Sequence, residues 1–165
     1  FATMVWVILG QQVSITAAAA MERRLQGILG DVTPHGLLGL DRATMRRCGF
    51  SRQKEGYARE LATALVDGAF DLEPVAAMPD REAIAYLTGR RGIGVWTAEN
   101  YLLWGLGRRD VFPAGDLALQ IGWQRLTAAR ERPRPPELEA AAQAWRPRRT
   151  AAALLIWHSY LAADR

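Results

Sequence analysis

Apolar residues recur at three- and four-residue steps along the chain, and this spacing is the strongest constraint on its fold. The alternation of apolar and polar residues that marks a half-buried strand does not occur. Turn signals divide the pattern into helices: Ser14, Asp41 and Ser51 can each cap one. Gly30 can end the first of these, and residues 31–36 predict a loop. The sequence therefore predicts an all-α fold.

The chain is long enough for one well-buried domain, because 165 residues remove roughly 70% of their unfolded surface from water. Its single cysteine, Cys48, excludes an internal disulfide and a four-cysteine zinc or iron–sulfur site. We expect a cytoplasmic location, nucleoid-associated if the source is bacterial, and no membrane partner, since neither a secretory leader nor a membrane-spanning apolar run occurs. Phe1 opens an apolar run without an initiator methionine, so we expect the true N-terminus to be missing.

The charge balance is compatible with a nucleic-acid partner. The formal net charge is +4, and Lys54 is the sole lysine among the 21 basic residues. An excess of arginine favours a polyanion, but a genomic bias toward arginine explains the same composition.

A glycine turn, GRRGIG, separates two predicted helices at 79–88 and 95–104, the first with Asp80 as its cap. Gly92 and Gly94 allow a tight turn that directs backbone amides outward, and the start of the next helix adds a partial positive charge. Such a turn suits a phosphate. An ordinary turn between helices is the alternative for the glycine pattern alone.

The order of helix, GIG turn, Trp-Thr-Ala helix start and Phe-Pro-x-x-Asp loop resembles the helix–hairpin–helix (HhH-GPD) superfamily of base-excision DNA glycosylases. Within it the chain is similar to the 3-methyladenine DNA glycosylase II group, through ILGQQVSITAAAA at 8–20 and WRPRRTAAALLIW at 145–157. The resemblance implies a two-lobed helical domain with a cleft between the lobes. The hairpin lobe would span about 11–108, and C-terminal helices at about 109–165 would pack with the N-terminal helix.

The resemblance implies a monofunctional glycosylase that flips alkylated purines of the 3-methyladenine type out of duplex DNA and hydrolyses them during base excision repair. Bifunctional members carry a lysine where this chain has Trp96, and an indole cannot form a Schiff base. No lyase activity is therefore expected. A methylated purine is already cationic and leaves readily, so extraction and aromatic stacking are the main requirements. The alternatives are a non-catalytic helix–hairpin–helix DNA-binding module and an all-helical protein-interaction domain.

The resemblance makes Asp116 the catalytic residue. A carboxylate near the sugar would stabilise the oxocarbenium-like transition state of base loss. An acid at the start of an apolar helix also fits a helix cap, and the two roles are compatible. Trp96, Asn100 and Trp157 match positions that line the base pocket, and Asn100 replaces a tyrosine of the bacterial enzyme type. Core packing is the alternative for the tryptophans.

Five residues are assigned to DNA binding: Gln12, Gly92, Gly94, Thr97 and Arg149. Gln12 matches the wedge that fills the gap left by the flipped base, with Gln11 as its support, although both glutamines could instead cap helix ends. Arg149 would touch phosphate or buttress the active-site helix, a solvated helix end being the alternative.

No cofactor is expected to be required. The resemblance implies a structural Na⁺ or K⁺ ion at the hairpin, bound by the backbone carbonyls of Thr88, Arg90 and Ile93. Arg91 stands there where the turn usually carries proline. The expected partner is duplex DNA that contains damaged bases, bound by a monomer.

Overall fold

The computed structural model describes residues 1–163, and in this range the chain forms α-helices and no strand, as the apolar spacing predicts. Two short 3-10 segments, Glu73–Ala76 and Gln143–Trp145, accompany them. The helices are α1 (Ala2–Gly10), α2 (Ile15–Leu29), α3 (Pro34–Gly39), α4 (Arg42–Cys48), α5 (Arg52–Val66), α6 (Asp80–Thr88), α7 (Val95–Leu106), α8 (Leu117–Thr127), α9 (Pro135–Ala142) and α10 (Arg149–Ala163). None of these helices is long and apolar enough to cross a membrane.

The predicted helix caps form as expected. The side chains of Ser14, Asp41 and Ser51 each accept a hydrogen bond from the backbone amide three residues later, at 3.2, 2.6 and 3.2 Å. Each such cap satisfies an amide that has no partner within its helix and contributes about 1 kcal/mol. Gly30 ends α2 with a φ of +64°.

Two local predictions are wrong. The predicted loop at 31–36 contains the start of α3, because Thr33 caps the amide of Gly36 and Pro34 occupies the first helical position. Asp80 is not a cap but the first residue of α6, which follows Pro79 without a side-chain cap.

The chain divides into two compact units, and the first comprises Phe1–Tyr101. In this unit α1 packs against α2 and α5, α3 packs against α5, and α2 packs against α4. Their apolar faces enclose one core. Its buried members are Val5, Leu9, Leu25, Leu37, Met45, Cys48, Phe50, Ala58 and Ala62.

The second unit comprises Leu102–Arg165, of which the structure describes the part to residue 163. Its helices α8 and α10 approach closely at Gly122, where a Cβ atom would lie 2.7 Å from Cγ2 of Ile156. The buried core residues are Leu103, Phe112, Ala114, Leu119, Leu138, Ala142, Ala153, Ile156 and Trp157. The predicted lobe boundary near residue 108, the cleft and the packing of the N-terminal helix with the C-terminal helices stay predictions.

Candidate active site and nucleic-acid interface

The hairpin between α6 and α7 is a tight turn that depends on Gly92. This residue has a φ of +86°, and a Cβ atom there would lie 2.2 Å from Cγ of Tyr57. The Ile93 amide donates to the Arg90 carbonyl at 3.1 Å and closes the turn. A side chain at residue 92 would therefore meet both backbone strain and the Tyr57 ring. Gly94 is different, since its φ is ordinary and nothing would lie within 4 Å of its Cβ.

Gln11 ties the turn between α1 and α2 to this hairpin. Its Nε2 donates to the Gly92 carbonyl at 2.9 Å and to Oγ1 of Thr97 at 3.0 Å. The supporting role predicted for Gln11 therefore has a structural basis, whereas an ordinary helix cap does not describe these long-range bonds. The Thr97 side chain is 2% exposed and accepts from Gln11, so it holds the turn in place and does not face a ligand from outside.

Gln12 follows directly and is exposed, with a left-handed φ of +56°. This conformation costs an L-residue other than glycine roughly 1–2 kcal/mol. The bonds of Gln11 hold the neighbouring backbone, so the structure presents the Gln12 side chain at the tip of the turn.

A depression of about 500 Å³ opens where the α1–α2 turn, the start of α5 and the hairpin meet. Lys54 lies in it and donates from Nζ to the Leu9 carbonyl at 2.7 Å, and burial lowers the pKa of this ammonium group. Sequence reasoning did not place Lys54 beside the hairpin, because nothing local reveals that fold contact. The lining residues are Gln11, Gln12, Ser51, Gln53, Lys54, Tyr57, Thr88, Arg90, Gly92, Ile93 and Gly94.

The hairpin offers backbone carbonyls but no cluster of metal-binding side chains. Within residues 1–163 no group of three or more His, Cys, Asp or Glu side chains could hold a metal ion. The Arg90 guanidinium is directed away from the turn: it donates to the Ala69 carbonyl at 2.8 Å and lies 4.4 Å from the centroid of Phe70. An ion at the hairpin would therefore depend on backbone oxygens alone.

Trp96 and Asn100 stand one helical turn apart on α7. The Asn100 side chain is 5% exposed and donates from Nδ2 to the Trp96 carbonyl at 2.8 Å. Trp96 is half-buried, and its Cη2 atom would lie 3.8 Å from a Cβ placed on Gly10. The end of α1 thus lies next to the indole ring.

Asp116, in the second unit, begins α8 and carries two hydrogen bonds on one carboxylate oxygen. Oδ1 accepts from the Leu119 amide at 3.0 Å, which is the predicted helix cap. It also accepts from Nε1 of Trp157 on α10 at 3.0 Å. The Trp157 side chain is 8% exposed and stacks on Trp104, with ring centroids 5.7 Å apart. Trp157 thus packs in the core and also contacts Asp116, and its role at a base pocket stays a prediction.

The loop before Asp116 is fixed by its own hydrogen bonds. The Gln120 side chain, 6% exposed, donates to the Ala114 carbonyl at 3.0 Å, and the Asp116 amide donates to the Pro113 carbonyl at 2.8 Å. These hydrogen bonds stabilise the turn that leads into Asp116.

Arg149 is engaged within the protein, which disfavours the predicted direct contact with DNA. Its side chain is 11% exposed and donates to the Asp110 carboxylate at 2.9 Å, to the Asp110 carbonyl at 2.7 Å and to Glu139 at 3.0 Å. The hydrogen bond from Arg149 also lowers the pKa of Asp110. The contacts favour the other expected role, a buttress at the start of α10. The exposed arginines of this cluster are Arg146 and Arg148.

A profile described as HhH-GPD superfamily base excision DNA repair protein matches residues 5–148. The chain belongs to this superfamily. The predicted family and the all-α fold are therefore confirmed.

Among curated proteins, DNA-3-methyladenine glycosylase 1 of Schizosaccharomyces pombe is 32% identical over 98% of the chain and 72% of that protein. DNA-3-methyladenine glycosylase 2 of Escherichia coli is 28% identical over 92% of the chain. The chain covers 55% of the length of the E. coli protein and 57% of a Bacillus subtilis relative named "Putative DNA-3-methyladenine glycosylase YfjP".

The chain is also similar to solved structures of DNA glycosylases. The S. pombe 3-methyladenine DNA glycosylase in complex with abasic DNA matches with a TM-score of 0.88 and 32% identity, over 94% of this chain and 78% of that one. A 3-methyladenine DNA glycosylase from Archaeoglobus fulgidus matches with a TM-score of 0.84 and 26% identity, over 96% of this chain and 57% of that one.

Proposed function

We propose that this superfamily member is the core of a monofunctional DNA glycosylase that removes alkylated purines of the 3-methyladenine type from duplex DNA. The observation that carries the proposal is the Asp116 carboxylate, which two N–H donors hold at the start of α8. The relatives that bear the name DNA-3-methyladenine glycosylase support the same substrate class.

Asp116 would act on charge that exists mainly in the transition state. When the bond between sugar and base breaks, positive charge develops on the deoxyribose, and a carboxylate fixed nearby stabilises it. The same group can orient or deprotonate the attacking water. Because the carboxylate is already held in place, little reorganisation is needed during the reaction.

The absence of a lyase step follows from the available amines. Trp96 occupies the position of the lysine in bifunctional members, and Lys54 is the sole lysine of the sequence. Its ammonium group donates to the Leu9 carbonyl and is held against the end of α1. This hydrogen bond directs Nζ at the Leu9 carbonyl, whereas a lyase step requires an amine that attacks the abasic sugar.

For base recognition, each unit contributes its own candidates. In the first unit, Trp96 offers an aromatic face, and the buried Asn100 amide stands where the bacterial enzyme type has tyrosine. In the second unit, Trp157 lies beside Asp116. We assign these three residues to recognition of a cationic purine, which favours aromatic surroundings.

Duplex DNA would be bound mainly through backbone groups and the turn at Gln12. The hairpin glycines Gly92 and Gly94 present amides to a phosphate, while the exposed Gln12 fills the stack after base extraction. We further propose that the protein acts as a monomer in the cytoplasm, or at the nucleoid if the source is bacterial.

A monovalent cation at the hairpin is also proposed. The carbonyls of Thr88, Arg90 and Ile93 would bind it, and it would supply a fixed positive charge next to the phosphate. Adding K⁺ or Na⁺ in place of tetramethylammonium at constant ionic strength should raise DNA affinity if the ion binds there, and equal affinities would remove this proposal.

Release of labelled bases from methylated duplex DNA tests the function. Asp116→Asn should lower the release rate by a factor on the order of hundreds while affinity for duplex DNA barely changes. Strand breaks should form only after treatment with alkali. Breaks without alkali would contradict the monofunctional assignment. Salt-sensitive DNA binding without base release would instead support a non-catalytic DNA-binding module.

A further inference from the structure

The two indoles beside Asp116 form a chain of contacts that ends on the carboxylate. Trp104 stacks on Trp157 at a centroid distance of 5.7 Å and an interplanar angle of 25°. Trp157 in turn donates from Nε1 to Oδ1 of Asp116 at 3.0 Å. All three residues belong to the second unit but lie on three different helices or helix ends.

The hydrogen bond from Trp157 reaches this oxygen from a different helix, α10. The Leu119 amide fixes the carboxylate relative to α8, as any helix cap does. The indole N–H fixes it relative to α10. A carboxylate held from two directions keeps one orientation, and a bond to an ionised acceptor is about twice as strong as a neutral one.

Packing around the Trp157 ring holds it in the orientation that directs its N–H at Asp116. Its side chain is 8% exposed, and the neighbouring core residue Ile156 packs closely against Gly122 on α8. The face of the ring is covered by Trp104, which itself is 46% exposed. Because Trp104 is this exposed, it contributes less to core burial than a buried tryptophan does. Its stacking on Trp157 is the contact that can fix the Trp157 ring.

We propose that Trp157 is a positioning residue that aims the Asp116 carboxylate through its indole N–H, and that Trp104 fixes the orientation of Trp157 by stacking on it. This inference rests on the proposed catalytic role of Asp116. For Trp157 the positioning role is additional to the base recognition proposed above, and through it both tryptophans contribute to the rate by way of the carboxylate. A displacement of a reacting group by about 1 Å can lower a rate by about 100-fold.

The test is a double-mutant cycle on single-turnover release of methylated purines from duplex DNA. Trp157→Phe keeps the ring and removes the N–H, and it should lower the rate about 10- to 100-fold without changing DNA affinity. In the Asp116→Asn background the same change should alter the remaining rate by less than about 2-fold, since nothing is left to position. An equal fractional loss in both backgrounds would overturn the inference and leave Trp157 with base recognition alone.

Trp104 is tested by aromatic rescue. Trp104→Leu should lower the rate about 3- to 10-fold, and Trp104→Tyr should restore most of it because a ring again covers Trp157. Neither change should have a further effect in the Trp157→Phe background. Trp123→Phe is the matched control, since it removes an indole elsewhere in the same unit that contacts Trp145. Equal rates for the leucine and tyrosine variants would overturn the role of Trp104.

A spectroscopic measurement covers the case in which Trp157→Phe folds poorly. The indole ¹⁵N–¹H signal of Trp157 should lie downfield and exchange slowly with solvent, and Trp104→Leu should move it upfield and speed its exchange. An unchanged signal would contradict the stacking contribution. The two proposals also fail differently. If Asp116→Asn keeps the full rate, both are wrong, whereas a slow Asp116→Asn variant with a fast Trp157→Phe variant removes only the positioning role.

Discussion

The hairpin of the first unit and the Asp116 corner of the second are built in opposite ways. The hairpin is made of backbone: a glycine in a left-handed conformation, a closed turn and a carbonyl held by Gln11. The Asp116 corner centres on a side chain, because its carboxylate accepts from the Leu119 amide of α8 and from the Trp157 indole of α10. A backbone surface suits any phosphate along a duplex, whereas a side chain fixed from two helices suits a single group of defined position.

The difference predicts separable phenotypes. Damage to the hairpin should affect stability and DNA affinity together, because the same backbone serves both. Damage around Asp116 should affect the rate of base release with little effect on affinity. Variants of the whole chain in either unit can therefore test the comparison through the free energy of unfolding, DNA affinity and the rate of base release.

The largest effect on stability is expected for Gly92→Ala. Its Cβ would lie 2.2 Å from Cγ of Tyr57 at a φ of +86°, and strain plus overpacking should lower the free energy of unfolding by about 2–4 kcal/mol. DNA affinity should fall with it. Gly94→Ala is the matched control, with a loss below about 0.5 kcal/mol in urea unfolding, since open space surrounds that position. Equal losses for both variants would contradict the described turn.

Gln11→Leu should have the next largest effect. It removes the donor to the Gly92 carbonyl and to the buried Thr97 hydroxyl, and the orphaned acceptors should cost about 1–3 kcal/mol in urea unfolding. DNA affinity should also fall, because the α1–α2 turn loses its link to the hairpin. Gln26→Leu, on the exposed surface of α2, is the control and should change neither quantity. A stable Gln11→Leu variant with full affinity would show that this link is dispensable.

The second unit should respond to acid through Asp110. The hydrogen bond from Arg149 lowers the pKa of Asp110 below its ordinary 3.8, so the folded state binds this proton less readily than the unfolded state. Its stabilising contribution is therefore complete above about pH 4 and is lost as the pH falls through the lower folded value. The difference in unfolding free energy between wild type and Asp110→Asn should shrink as the pH falls from 6 to 3. A constant difference would argue against the ion pair.

Gln12→Gly should have the smallest effect on stability, and in the opposite direction. Glycine adopts the φ of +56° without strain, so the free energy of unfolding should rise by up to about 1 kcal/mol. Base release should nevertheless slow, because no side chain remains to enter the stack. Ala128→Gly is the control: it relieves a φ of +52° outside the site and should leave the release rate unchanged. Full activity of Gln12→Gly would remove the wedge role.

Local signals in the sequence predicted much of this structure. A hydroxyl or carboxylate before an apolar run predicted the caps at Ser14, Asp41 and Ser51, because their partners lie only three residues away. The same rule found the cap role of Asp116, now seen in its bond to Leu119. The start of α3 was missed, since Thr33 and Pro34 look like loop residues when taken one at a time.

Contacts between residues distant in sequence could not be predicted from the residues alone. No local sequence signal predicts that Arg149 pairs with Asp110 or that Trp157 donates to Asp116, since the partners lie 39 and 41 residues apart. Lys54 beside the hairpin belongs to the same class. The packing of the helices determines these contacts. The family resemblance indicated which residues belong to the candidate site but not the hydrogen bonds that they form.

Gly122 lets α8 and α10 of the second unit pack closely together. Asp116 stands at the start of α8 and its indole donor stands on α10, so the width between these two helices sets how far the proton lies from the carboxylate. The two helices approach closely at Gly122, where a Cβ atom would lie 2.7 Å from Cγ2 of Ile156, the residue next to Trp157. A single methyl group added at Gly122 would therefore push α8 and α10 apart and lengthen the hydrogen bond between Trp157 and Asp116.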